Sequence, residues 1–102
     1  MIQPRRLAIA VATGDGLLER CLGDDSCCAE LARGAAAVMG SLQALEDIWV
    51  TRVVRVVAEL GDSRYIALSR FGGGRVLAVY VEGVSLGAAH LVLRVLEEEL
   101  GQ

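Results

Sequence analysis

Leu7, Ile9 and Val11 alternate at period two with Ala8, Ala10 and Ala12. Both sides of this run are apolar, which predicts a strand in the middle of a sheet covered on both faces. The alanine side would let a helix approach closely. Thr13-Gly14-Asp15-Gly16 reads as a hairpin turn, because Asp-Gly tolerates positive φ. A shorter strand over about 17–22 carries Glu19 and Arg20, charges that suit a sheet edge. Three more strand-like runs follow residue 50: Thr51–Leu60, Arg64–Phe71 and Arg75–Val81. Gly61-Asp62-Ser63 and Gly72-Gly73-Gly74 separate them as tight turns. The first run is Val-rich and long, with Val53, Arg55 and Val57 on one face and Arg52, Val54 and Val56 on the other. The last is apolar on both faces, so it is central like the first.

Two helices complete the pattern. Asp24, Asp25 or Ser26 caps the first, which is expected to run from Ser26 to about Asp47. Cys28, Leu31, Ala35, Val38, Leu42, Leu45 and Trp49 recur at spacings of three and four along it, as one apolar stripe. Ala29, Ala32, Gly34, Ala36, Ala37 and Gly40 make a second, small-residue side. Two glycines inside a helix cost about 1 kcal/mol each relative to Ala. Small residues fit either close packing on the sheet or a helix–helix seam in a dimer. Ser85 caps the final helix, 85–100, whose stripe is Leu86, Ala89, Leu93, Leu96 and Leu100. Leu91, Val92 and Val95 add apolar surface off that stripe, which calls for a further cover. The order is therefore β-β-α-β-β-β-α. It predicts an α+β fold: a five-stranded antiparallel sheet with the long helix on one face and the C-terminal helix on the other.

At 102 residues the chain is expected to form one domain, 1–102. Its residues are 54% hydrophobic and few are aromatic, so the apolar content is aliphatic. That is more than a small monomer hides alone, and it points to an oligomer with an apolar interface. All ten basic residues are Arg and the net charge is -3. There is no basic block, which argues against nucleic acid as a partner. No apolar run reaches the length of a membrane span, and no signal peptide is evident, so a cytoplasmic location is expected.

Candidate chemistry is sparse. Cys21, Cys27 and Cys28 lack C-x-x-C spacing, and one His does not complete a zinc shell with them. They read as buried thiols, with a disulfide between Cys21 and one of the pair, or across subunits, as the alternative. Gly72-Gly73-Gly74 opens no helix and precedes no Gly-Lys-Ser or Gly-Lys-Thr, so it reads as a hairpin loop. Asp24-Asp25 reads as capping, Glu97-Glu98-Glu99 as a solvated helix end, and His90 as structural. Trp49 fits the core better than a binding hot spot. No catalytic, cofactor or metal residues are expected.

The element order, the Asp15-Gly16 turn, the Ala-rich helix Ser26–Asp47 and the stretch from Arg75-Val76-Leu77-Ala78-Val79 through Ser85-Leu86-Gly87 resemble the Roadblock / dynein light chain domain, a profilin-like sandwich. The resemblance covers nearly the whole chain and lacks the family's usual N-terminal helix, since Met1–Arg6 is too short. It implies a homodimer or heterodimer in which the third strands pair and the long helices lie together. Interface residues are then Val53, Val54, Arg55, Val56 and Val57, with Ala32 and Ala36 on the helix. It also implies a non-enzymatic module that regulates or scaffolds a small Ras-like GTPase, meeting it through Glu30, Arg33, Gln43 and Glu46. Other readings are a small-ligand sensor or enzyme on a profilin-like sheet, which a cleft with converging polar groups would favour and of which the sequence shows none, and a structural assembly subunit.

Overall fold

The computed structural model describes residues 4–49 and 52–100. Its strands are β1 (Arg6–Thr13), β2 (Leu18–Gly23), β3 (Arg55–Gly61), β4 (Arg64–Phe71) and β5 (Arg75–Glu82). Its helices are α1 (Cys28–Ser41), α2 (Gln43–Trp49) and α3 (Leu86–Leu100), with a 3-10 turn at Asp25–Cys27 before α1. The strands form one sheet in the order β2-β1-β5-β4-β3, with every neighbouring pair antiparallel. As the alternation predicts, β1 and β5 are interior and the charged β2 is an edge; β3 is the other edge, as the resemblance implies.

The two faces of β1 divide the core. Ala8, Ala10 and Ala12 pack with Ala78, Val76 and Leu68 beneath Cys28, Leu31, Ala32, Ala35 and Met39 of α1. Ile9 and Val11 pack with Leu77, Val79 and Ala67 beneath Leu93 of α3. Small residues on one side thus bring α1 close, while branched residues fill the α3 side. Full burial of a side chain such as Leu77 or Leu93 contributes about 1.5–3 kcal/mol. Ser85 caps α3 as expected, its Oγ accepting from Ala88 N at 3.2 Å.

Asp24 ties the end of β2 to the start of α1. Its carboxylate accepts from Ser26 N at 3.0 Å and from Ser26 Oγ at 2.7 Å, and it also pairs with Arg6. Arg6 in turn lies over the Tyr80 ring, 5.6 Å from its centroid. Just before Asp24, Gly23 has φ +78°, and a Cβ there would sit 2.3 Å from the Leu7 carbonyl oxygen, so only glycine fits. The Ser26 hydroxyl and backbone bonds, then Arg6, lower the Asp24 carboxyl from 3.8 to about 2. A lowered folded-state pKa gives stability that is present above the unfolded value and lost as pH falls through the folded one. Thermal melts of the wild type are therefore expected to drop from about pH 4 down to about pH 2, and Asp24→Asn should flatten that drop. Superimposable pH profiles for the two proteins would refute this role for Asp24.

Four expectations are corrected. The long helix is broken at Leu42, where Ser41 Oγ donates back to the Val38 carbonyl at 2.8 Å, next to Gly40; a Gly-Ser pair with such a back-bond is a common cause of a kink. The buried side of the helices is Cys28, Leu31, Ala32, Ala35 and Met39, continuing to Glu46, so Val38, Leu45 and Trp49 fall outside it. Strand β3 begins at Arg55, with 52–54 outside the strand, and Thr51 lies outside the described residues. Cys21 and Cys28 form a disulfide that joins β2 to α1, leaving Cys27 as the free thiol.

Candidate functional site

The β3 edge and the groove beside it form the first candidate surface. β3 pairs with β4 in register Arg55↔Ser69, Val56↔Leu68, Val57↔Ala67 and Ala58↔Ile66. Just ahead of it, Arg70 N donates to the Val54 carbonyl at 3.1 Å. In an antiparallel ladder a residue's N–H and C=O point to the same side and alternate along the strand. Val54, Val56 and Ala58 therefore turn their backbone groups toward β4. Arg55, Val57 and Glu59 turn theirs outward.

Side chains alternate across the same strand. Arg55 lies on the α3 face, where its guanidinium grips Glu97 of α3 at 2.6 Å. Partial burial pushes the Glu97 carboxyl up, but bonds from Arg55 and Ser69 and the Arg55 and Arg94 charges outweigh it and hold it below the usual range. On the other face, Val56 and Ala58 join Ile66 and Leu68 as the floor of an apolar groove of about 210 Å³. Leu31, Gly34, Ala35 and Val38 of α1 form its wall, with Glu30 at the rim. A Cβ on Gly34 would meet nothing within 4 Å. The helix thus carries a glycine that no neighbour in the protomer requires.

A second exposed patch lies on α2. Ile48 and Trp49 are 68% and 66% exposed, with Leu45, Val38 and Val54 also open. Trp49 is therefore not a core residue. On α3, Leu91 and Val95 are exposed, whereas Val92 packs inward against the sheet.

The residues expected at the interfaces separate in space. Val53 to Val57 lead into and form the open edge. Ala32 is 0% exposed, sealed under α1 against the sheet, and so lies on no outer face of the protomer. Ala36 faces the β1–β2 turn, 3.4 Å from where a Gly16 Cβ would stand. Glu30 and Arg33 are exposed on α1, Glu30 at the groove and Arg33 near the same β1–β2 turn. Gln43 is exposed at the start of α2, bonded to Asp47 at 3.0 Å. Glu46 is corrected: at 8% exposure it is buried, not part of an outer face. It accepts from Arg70 Nη2 at 2.7 Å and from Val53 N at 2.8 Å. The break at Leu42 separates it from Glu30, so one helical phase does not run through both.

Three arginines, Arg52, Arg70 and Arg75, meet at the end of the sheet near Gly72-Gly73-Gly74. Sequence reading did not unite them. The signal was the hairpin register, in which Phe71 faces Arg75 and so sets Arg70 and Arg75 at one end. Among the described residues no three His, Cys, Asp or Glu lie together to hold a metal ion. No described helix is long and apolar enough to cross a membrane.

A five-stranded antiparallel sheet with helices on both faces and an open third-strand edge defines an α+β sandwich. Solved structures agree. The chain is similar to the gliding protein MglB from Thermus thermophilus, with TM-score 0.80 and 16% identity over 96% of this chain and 77% of that one. It is similar to Myxococcus xanthus MglB at TM-score 0.74 and 19% identity, over 92% and 79%. It is also similar to a Roadblock/LC7 domain from Streptomyces avermitilis at TM-score 0.71 and 20% identity, over 98% and 90%. No protein-family model matches the sequence, and no curated protein matches it either. The fold is that of a Roadblock/LC7-like domain.

Proposed function

We propose that this chain is a non-enzymatic, dimeric interaction module of the cytoplasm that regulates or scaffolds a small Ras-like GTPase. The observation that carries the reading is the open β3 edge running beside an apolar groove, on a Roadblock/LC7-like fold. Two copies joined through β3 continue one sheet across the pair and satisfy the outward backbone groups of Arg55, Val57 and Glu59. The same step brings the α1 helices together over the groove, where Gly34 allows close approach. Intracellular disulfides such as Cys21–Cys28 are typical of hyperthermophiles, so the cytoplasmic reading fits a source of that kind best.

The GTPase would then meet the exposed α1 residues Glu30 and Arg33 and the start of α2 at Gln43. Binding acts by selecting one GTPase conformation, and the shift it causes equals its differential affinity for the two states. The test uses Ras-like GTPases purified from the source organism, loaded with GDP or a GTP analogue and titrated with the chain. One nucleotide state is expected to bind in preference. The double reversal Glu30→Arg with Arg33→Glu should weaken that binding at least about tenfold, with the thermal midpoint unchanged. Failure of every such GTPase to bind in either state removes the GTPase reading. Undiminished binding by the double variant removes this surface.

A further inference from the structure

We propose that the end of the sheet at the β4–β5 hairpin is a binding site for a small oxyanion with two or more negative charges, of the phosphate or pyrophosphate type. Two adjoining cavities lie there, of about 190 and 400 Å³, and they share Arg52, Arg70 and Gly74. Arg75 and Gln43 line the first of them, and no Asp or Glu lines either. The chain as a whole carries a net charge of -3, so three of its ten arginines at one cleft run against the overall balance. They come from three segments: the approach to β3, the end of β4 and the start of β5.

Two of the guanidinium groups are held in place before any ligand arrives. Arg70 Nε donates to the Val53 carbonyl at 2.7 Å and its Nη2 to Glu46 at 2.7 Å. Arg75 Nε donates to the Gly72 carbonyl at 2.7 Å, and its Nη1 lies 3.9 Å from Glu19. Each guanidinium has five N–H donors, so Arg70 keeps others for an anion beyond these anchors. Arg52 is exposed and makes no ion pair among the described residues. Glu46, and more distantly Glu19, supply the counter-charge to this cluster. Planar guanidinium forks match the paired oxygens of phosphate, and fixed ones bind with less loss of freedom. Gly14, Gly40 and Gly72 to Gly74 leave parts of the walls without side chains, so an anion can come close to the backbone there, beside apolar Met39, Val54 and Val76. This differs from a phosphate-cradling loop at a helix start: here the side chains supply the charge.

The site adjoins the approach to the β3 edge at Val54 and shares Gln43 with the proposed GTPase surface, but its argument does not rest on the GTPase reading. The experiment is calorimetric titration of the full chain with inorganic pyrophosphate and, separately, with a nucleoside diphosphate, at constant ionic strength in chloride. Saturable binding of pyrophosphate with a dissociation constant below about 1 mM is expected. Arg52→Ala should weaken it about tenfold, and Gln43→Glu, which adds a carboxylate to the wall without touching the anchored arginines, should do the same. Arg94→Ala, exposed on α3, should leave it unchanged; Arg52→Ala and Arg94→Ala should melt with the wild type, and Gln43→Glu, which gives up its bond to Asp47, is titrated well below its own midpoint. A nucleoside diphosphate that binds at least about tenfold tighter than pyrophosphate identifies a nucleotide as the source of the phosphates; equal affinity identifies the free anion. Absence of binding by both ligands at about 10 mM overturns the proposal. So does an equal loss in Arg52→Ala and Arg94→Ala, which would mark general charge attraction.

Discussion

Val57→Pro is expected to turn the proposed dimer into monomers while the protomer stays folded. The backbone groups of β3 that face outward decide the outcome. The Arg70 N to Val54 O bond of 3.1 Å fixes the phase of the β3–β4 ladder. Val56 therefore donates inward, to β4, and Val57 donates outward. Proline at Val57 removes an outward N–H and places its ring where the second strand would lie. In a two-fold pairing the loss occurs twice, once from each copy. Two lost hydrogen bonds at about 1 kcal/mol each, with the ring clash added, weaken dimerisation by roughly 30-fold or more. Sedimentation equilibrium at micromolar concentration reads the result. Val57 also packs its side chain on the α3 side of the core. Glu59→Pro, with an exposed side chain and the same outward phase, separates loss of pairing from loss of packing. Val56→Pro should behave differently, since it cuts the bond to β4 and lowers the stability of the protomer itself. A wild type that sediments as a monomer would sink the dimer reading, and so would a Val57→Pro variant that still dimerises normally.

The choice of variant shows what could be read from the sequence and what could not. The sheet was legible because β1 and β5 carry apolar residues on both faces, which only an interior strand does. The charges of β2 likewise marked an edge, whereas the edge position of β3 followed only from the resemblance, in which third strands pair across a dimer. The inner phase of β3 was not legible, because it depends on register with β4, and an alternating Val run looks the same in either phase. The start of β3 was misplaced for a related reason. Val53 and Val54 continue the β-branched pattern, but the contacts that hold 52–54 come from Glu46 and Arg70, distant in sequence. On α1 the stripe drifted at Ala35, where both Val38 and Met39 continue an apolar pattern; Met39 is the buried one. The disulfide appeared only as one of several pairings of three clustered cysteines. The arginine cleft was invisible, since its members lie up to 23 positions apart, from Arg52 to Arg75.

Glu46→Ala is expected to cost the protein about 2–3 kcal/mol and to loosen the approach to β3. Glu46 sits at the point where α2 crosses the chain entering the edge strand. Its carboxylate holds two donors, Val53 N at 2.8 Å and Arg70 Nη2 at 2.7 Å. Arg70 returns to the same segment through the Val53 carbonyl at 2.7 Å. One buried acid therefore organises both polar groups of Val53. Its removal strands a partly buried guanidinium and an amide, and a group left without a partner costs more than a formed bond contributes. The Arg70 side chain is 26% exposed against 8% for Glu46, so water recovers part of that cost and the estimate stays below that for a fully buried pair. For a domain of this size the expected fall in thermal midpoint is roughly 10 °C or more. Glu46→Gln retains an acceptor but not the charge, and should lie between the two. The cycle with Arg70→Met isolates the pair: the double variant should be more stable than the two single losses added together. Because Val53 and Val54 lead into the outward-facing edge, Glu46→Ala should also weaken dimerisation, whereas an exposed change such as Asp47→Ala should not. A Glu46→Ala midpoint within about 2 °C of the wild type would show that the network contributes little, and that the segment before β3 is held by other contacts.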